Sequence, residues 1–213
     1  MSYQDEELLR MRQKAAEFKK QQASEETLSE ELQQSIYDPV TYITKIPVVF
    51  EDKMLLDGRL FMRVPKDFEP LSDAIIKQQF IMESKPQYVY ENPYLPFGIT
   101  FTVTNIPGDK TYIEQMFPYM VRTVKTVGPN VRILSTGKKV IHDIYVRWFE
   151  AISQTITEPS YRTVFVFPLN KMTAIGCITC PSRLKKRYQP IMQEMIDSIR
   201  FPNHSVEEVG KNE

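Results

Sequence analysis

Glycine is scarce, with seven residues in 213, and no G-x-x-x-x-G-K, G-x-S-x-G or other Gly-rich phosphate loop occurs. Nucleotide hydrolysis through a known loop is therefore disfavoured. The two cysteines are too few for a secreted disulfide framework. Two histidines, His142 and His204, leave little material for Ser/His or Cys/His catalysis, and neither stands at zinc-ligand spacing to the cysteines. Net charge is also missing, because 27 basic residues balance 27 acidic ones. No global field draws in nucleic acid or an anionic membrane, so nucleic acid is disfavoured as a partner. No apolar run approaches the roughly 18–20 residues of a membrane span, and residues 1–20 lack a signal-peptide apolar core. A cytoplasmic protein without a membrane span, metal or cofactor is the expectation.

What is present is an ordinary globular composition, 42% hydrophobic and 25% charged, in a chain long enough for one domain with a sizeable core and an appendage. The appendage is residues 1–38. Ser2 as N-cap, the acids Asp5, Glu6 and Glu7, and the late Lys19 and Lys20 predict a helix over 3–22. Its apolar stripe is Leu8, Met11, Ala15 and Phe18, too short for a coiled coil. Thr27 and Glu30 form a capping box for a second short helix carrying Leu28, Leu32 and Ile36. Residues 24–38 hold five acids and no base, which marks them off from the body.

From about Tyr42 the pattern changes to short Val-, Ile-, Phe- and Tyr-rich runs between turn residues, the signature of strands. Asp57-Gly58 between runs 54–56 and 60–64 predicts a hairpin with a type I′ turn. A short helix is expected over 72–80, then strands at 88–90 and 99–103. Residues 111–127 place Tyr112, Met116, Tyr119, Met120, Val124 and Val127 on one side at helical spacing, with Pro118 expected to kink that helix or shift its start. Strands follow at 131–134, 140–156, 162–167 and 172–179, the last two joined too tightly for anything but an antiparallel hairpin. A helix over 182–199 carries the stripe Leu184, Tyr188, Ile191, Met195 and Ile199.

The later strands are apolar on both parities, with Ile144, Val146 and Trp148 on one and Tyr145, Phe149 and Ala151 on the other. A sheet of that kind must be covered on both faces. The expected fold is α+β: an α/β/α sandwich over residues 39–202 with a central antiparallel sheet, a helical extension at 1–38 and a tail at 203–213.

This order of elements resembles the family that includes the PsbP extrinsic subunit of photosystem II and the Ran-binding Mog import factor, whose fold DcrB-like bacterial proteins share. The resemblance rests on Arg63-Val64-Pro65 with Phe68 soon after, a helix before the strand pair, the long hairpin of 140–167, and the closing Ile196-Asp197-Ser198-Ile199-Arg200-Phe201. It covers roughly residues 45–201. It implies an α/β/α sandwich used as a binding scaffold, with partners that differ between branches and no shared catalytic set.

Four groups of residues are candidates for function. Tyr88, Tyr90, Tyr94, Leu95, Pro96 and Phe97 crowd one loop with the rigid aromatics favoured at interfaces, and read either as that interface or as core. Cys177 and Cys180 have thiol-redox or metal spacing, yet on one strand their Cα atoms would be about 10 Å apart, beyond the roughly 7 Å a disulfide allows. Cys180-Pro181 escapes that limit only by leaving the strand for a helix start, where the dipole lowers a thiol pKa. Arg183, Lys186 and Arg187 form a basic run that reads as an anion site, a solvated face or a pair for the acids of 24–38. Glu150, inside an apolar strand, reads as a general acid, as a residue at an edge position, or as an ion-paired residue with Arg147, Arg162 or Lys171 for partners. The leading reading is a non-enzymatic protein-interaction module using residues 88–97 and the face of Leu8, Met11 and Phe18, with homo-oligomerisation through the N-terminal helices as a variant. Its alternatives are a thiol or metal-dependent protein and a small-ligand or anion binder.

Overall fold

Three two-residue turns join antiparallel strand pairs, two in the main sheet and one in a separate ribbon. Thr44-Lys45, His142-Asp143 and Asn170-Lys171 all have positive φ at both positions, as a type I′ hairpin requires, and none uses glycine. The computed structural model describes residues 34–80, 85–127, 130–154 and 158–202. Leu8, Met11, Phe18, the helices expected over 1–33, and the tail with His204 lie outside the described residues.

Two small ribbons come first. β1 (Thr41–Ile43) pairs with β2 (Ile46–Val48), and β3 (Phe50–Leu55) with β4 (Leu60–Pro65), both antiparallel. The connection in the second ribbon is not the expected two-residue turn at Asp57-Gly58. Leu55 opposes Leu60, and Leu56, Asp57 and Gly58 all take positive φ, so the loop has four residues. A buried leucine at positive φ costs about 1–2 kcal/mol, and packing holds it there. After β5 (Glu69–Pro70) comes α1 (Asp73–Gln79), which starts after Ser72 and stops at Phe80 as expected.

The main sheet adds β6 (Tyr88–Glu91), β7 (Gly98–Pro107), β8 (Val131–Ile141), β9 (Ile144–Ser153), β10 (Ser160–Leu169) and β11 (Met172–Pro181). Its order is β5-β6-β7-β11-β10-β9-β8, with every pairing antiparallel. Residues 131–134 and 140–156, expected as separate strands, are instead β8 running unbroken to Ile141 and β9 after a turn at His142-Asp143. Gly137 makes that continuity compatible with its neighbour. A Cβ there would lie 2.5 Å from the Trp148 ring across the pair.

α2 (Lys110–Val127) starts at Asp109, whose carboxylate accepts the N–H of Tyr112 at 2.8 Å. Pro118 lies inside it without shifting its start. Its inward face is turned about one residue from the expected stripe: Ile113 and Phe117 are buried, with Met116, Met120, Val121 and Val124 beside them, whereas Tyr112 and Tyr119 are exposed. The phenols can stay in water and the purely apolar neighbours cannot, which sets the rotation. A short 3-10 turn, Ser182–Leu184, leads into α3 (Lys185–Asp197), and its expected stripe of Leu184, Tyr188, Ile191, Met195 and Ile199 is buried throughout.

Two clusters result. Ile113 and Phe117 pack with Tyr145, Phe149, Ala151 and Val166. The larger cluster joins the α3 stripe to Val146, Tyr161, Phe165 and Phe167 and to the β3–β4 ribbon. The fold is thus α+β around a mostly antiparallel sheet. Ile36, assigned by its sequence to the extension, is fully buried in the larger cluster. Glu194 holds it there, accepting from Ser35 Oγ at 2.9 Å and Ile36 N–H at 2.8 Å, while Arg63 Nε donates to the Ile36 carbonyl. The body therefore includes residues before Pro39.

Candidate functional site

The aromatic loop at 88–97 divides into three parts. Tyr90 and Phe97 belong to the core, with 7% and 4% of their surface exposed. The Phe97 ring lies 5.0 Å from Phe68 and 4.9 Å from Tyr188, and Tyr90 meets the edge of Phe101. Their alternative reading as interface residues is corrected by this packing: adjacent strands and α3 already take up their apolar surface.

The two tyrosine hydroxyls hold the β3–β4 loop. Tyr90 accepts the buried N–H of Leu56 at 3.0 Å. Tyr88 accepts from Arg59 Nη2 at 2.7 Å and donates to Asp57 Oδ2 at 2.6 Å, with the guanidinium over its ring. Burial pushes both phenols above their ordinary pKa, and for Tyr88 the bond to Asp57 adds to the effect. Only Tyr94 remains as a free aromatic, 83% exposed. Its N–H donates to Asn92 Oδ1 at 2.8 Å, which fixes the loop tip.

The other candidates are dispersed. Cys180 stays within β11, opposite Tyr161, so the escape to a helix start does not occur. Its buried thiol is pushed up to about 12, and burial also raises Cys177. Neither thiol is set up as a nucleophile. His142 is exposed at a turn, while Cys177 shares a row with Val164 and Phe149 far along β9, so the two do not meet. Among the described residues no cluster of His, Cys, Asp and Glu has metal-binding form. Arg183 Nε donates to Glu158 Oε2 at 3.1 Å, and Lys186 is exposed, while four of the five acids of 24–38 lie outside the described residues. Arg187 is half-buried, unlike exposed Arg183 and Lys186.

Glu150 is 3% exposed, and it accepts hydrogen bonds instead of making the expected ion pair. Ser135 Oγ reaches it at 2.9 Å and Gln189 Nε2 at 2.8 Å, with Gln193 farther off. Arg147 lies on the opposite parity and pairs with Glu114 of α2. Glu114 also accepts from Tyr145, and that bond, helped by Arg147 and Lys138, holds its carboxyl below the usual range. Each carboxylate locks a helix to the sheet.

A run of exposed apolar residues lies where the sequence offered no candidate. Five residues between 37 and 49, namely Tyr37, Val40, Tyr42, Ile46 and Val49, are exposed. Tyr42 and Pro47 are cross-strand partners on the outer side of β1–β2. In the sequence this surface shows as apolar residues on both parities around Tyr42 and Ile43.

No protein-family model and no curated protein sequence matches the chain. Among solved structures it resembles cyanobacterial PsbP from Synechocystis sp. PCC 6803, with a TM-score of 0.51 and 8% identity over 72% of this chain and 92% of that one. Similarity extends to LpqN, a protein involved in cell envelope biogenesis in Mycobacterium tuberculosis, with TM-score 0.44 and 12% identity over 79% and 97% of the two chains. A Pseudomonas aeruginosa protein of unknown function, a putative regulator, gives 0.42 and 8% over 70% and 94%. The PsbP likeness shows a PsbP-like fold. No helix among the described residues is long and apolar enough to cross a membrane.

Proposed function

We propose that the chain is a non-enzymatic protein-interaction module that binds a partner protein through the outer side of β1–β2, with the stripe of Leu8, Met11 and Phe18 entering the same interface. The carrying observation is the exposure of Tyr37, Val40, Tyr42 and Val49 within thirteen residues, Tyr42 standing with its partner Pro47 on the face opposite buried Thr41, Ile43 and Val48. Clustered exposed apolar residues of this kind mark interaction sites, and tyrosine is favoured at their centres. The side chain of Gln34 accepts the N–H of Tyr42, so the chain leaves the N-terminal segment at the edge of this surface. Tyr94 is a separate, smaller contact. In the same reading the fold is a helix-sheet-helix sandwich used as a platform, since α2 residues enter one cluster and α3 residues the other. A cytoplasmic location accompanies the proposal on sequence grounds.

Capture from the native cell tests it, comparing the full chain with a Tyr42→Ser/Val49→Ser double variant. The expected result is one partner retained by the parent and lost by the variant, with melting moved by less than about 2 °C, as for surface substitutions. Equal retention by both chains overturns the proposal.

A further inference from the structure

We propose that β8 is a strand-addition site for an extended acidic peptide, which docks along its open edge as an eighth strand of the main sheet. The two edges of that sheet differ. One is β5, two residues long and ending in Pro70, which gives little to pair with. The other is β8, eleven residues long and paired, among the described residues, with β9 alone.

The turn decides which backbone groups are free. A two-residue loop makes Ile141 and Ile144 a hydrogen-bonded pair, so Val140, Lys138 and Thr136 direct their N–H and C=O groups away from β9. No backbone hydrogen bond from another described residue reaches them. The same three residues are exposed, Val140 to 65%. A register shift between Ile133 and Ser135 ends this regular stretch, so the pairing length is about seven residues.

Natural edges are guarded by lysines standing over them. Here the two lysines are drawn aside. Lys138 pairs with Glu114 of α2 at 3.4 Å, and Lys139 with Asp197 of α3, so each bends toward a flanking helix. The charge nevertheless selects the occupant. The seven-residue stretch carries Lys138 and Lys139 and no acidic residue, and the Lys138 side chain, 65% exposed beside Glu114, stays within reach of a docked strand. A second copy of β8 would bring like charges together along the seam, whereas a strand bearing alternate acids would find cations beside it.

The test uses the full chain and two labelled nine-residue peptides of alternating residues, one Glu/Val and one Lys/Val. The Glu/Val peptide should bind and protect the amides of Thr136, Lys138 and Val140 from hydrogen exchange. Val140→Pro removes one outward N–H without touching a bond to β9 and should weaken binding at least tenfold. Lys138→Gln, which leaves the backbone intact, should weaken it about threefold. The Tyr42→Ser/Val49→Ser variant should bind the peptide as the parent does, so this result stands apart from the ribbon interface. Absence of binding, equal binding of the Lys/Val peptide, or undiminished binding to a folded Val140→Pro chain overturns the proposal. Protection of the same amides by self-association without peptide overturns the choice of occupant.

Discussion

The molecule carries two antiparallel ribbons outside its main sheet, and they are treated in opposite ways. β3–β4 is tied down on every side. Its inner residues Phe50, Leu55, Leu60, Met62 and Val64 are buried, and Tyr88 and Tyr90 hold its loop. Arg200 pairs its backbone with Phe61, and Ser198 Oγ accepts the N–H of Arg63. β1–β2 buries Thr41, Ile43 and Val48 but turns Tyr42, Ile46 and Pro47 to solvent. Two-stranded ribbons are marginal alone. Both ribbons place residues in the larger cluster, Ile43 and Val48 from β1–β2 among them, and the tyrosine hydroxyls and the returning C-terminal segment are ties made to β3–β4.

Substitutions should separate the two by size of effect. Met62→Ala, in the tied ribbon, should cost about 2–5 kcal/mol of unfolding free energy, against about 0.5 kcal/mol or less for Ile46→Ala in the other. Equal losses in urea denaturation would erase the distinction. Next is Tyr90→Phe, which strands the buried Leu56 N–H and should cost about 1–3 kcal/mol. A loss below about 0.5 kcal/mol in the same experiment would mean that the loop does not depend on that hydroxyl.

The smallest expected effect is a response to acid. The hydrogen bond from Arg200, with Arg63 beside it, outweighs partial burial and holds Asp52 of β3 below its ordinary pKa. A carboxyl depressed in the folded state binds fewer protons there than in the unfolded chain. Its contribution is therefore present above about pH 4 and fades as pH falls through the lowered value. The pair is part-exposed, so this contribution stays below about 1 kcal/mol. Comparing the parent with Asp52→Asn at pH 7 and pH 3 checks the sign: the parent should lose more.

Much of this architecture was legible from periodicity. The α3 stripe, α1 with its Ser72 boundary and the 160–181 hairpin follow from local pattern. What escaped was set by contacts distant in sequence. Nothing local distinguishes Tyr90 from Tyr94, since both are tyrosines near the same turn, and only Leu56 and Phe101 make one of them core. His142-Asp143 hid as a turn because it lacks the glycine that usually signals positive φ. Glu150 looked in need of a cation, whereas two glutamines and a serine from other elements satisfy it. The exposed ribbon was missed for the converse reason: its residues have strand character, and sequence does not reveal that nothing among the described residues covers them.

Gly137 has a practical consequence. It admits the Trp148 ring against the backbone of β8, and Trp148 is the sole tryptophan of the chain. The indole thus reports optically on the strand at the open edge. Its emission, undiluted by any other indole, offers a label-free signal of what happens to the β8–β9 pair during unfolding and during occupation of that edge.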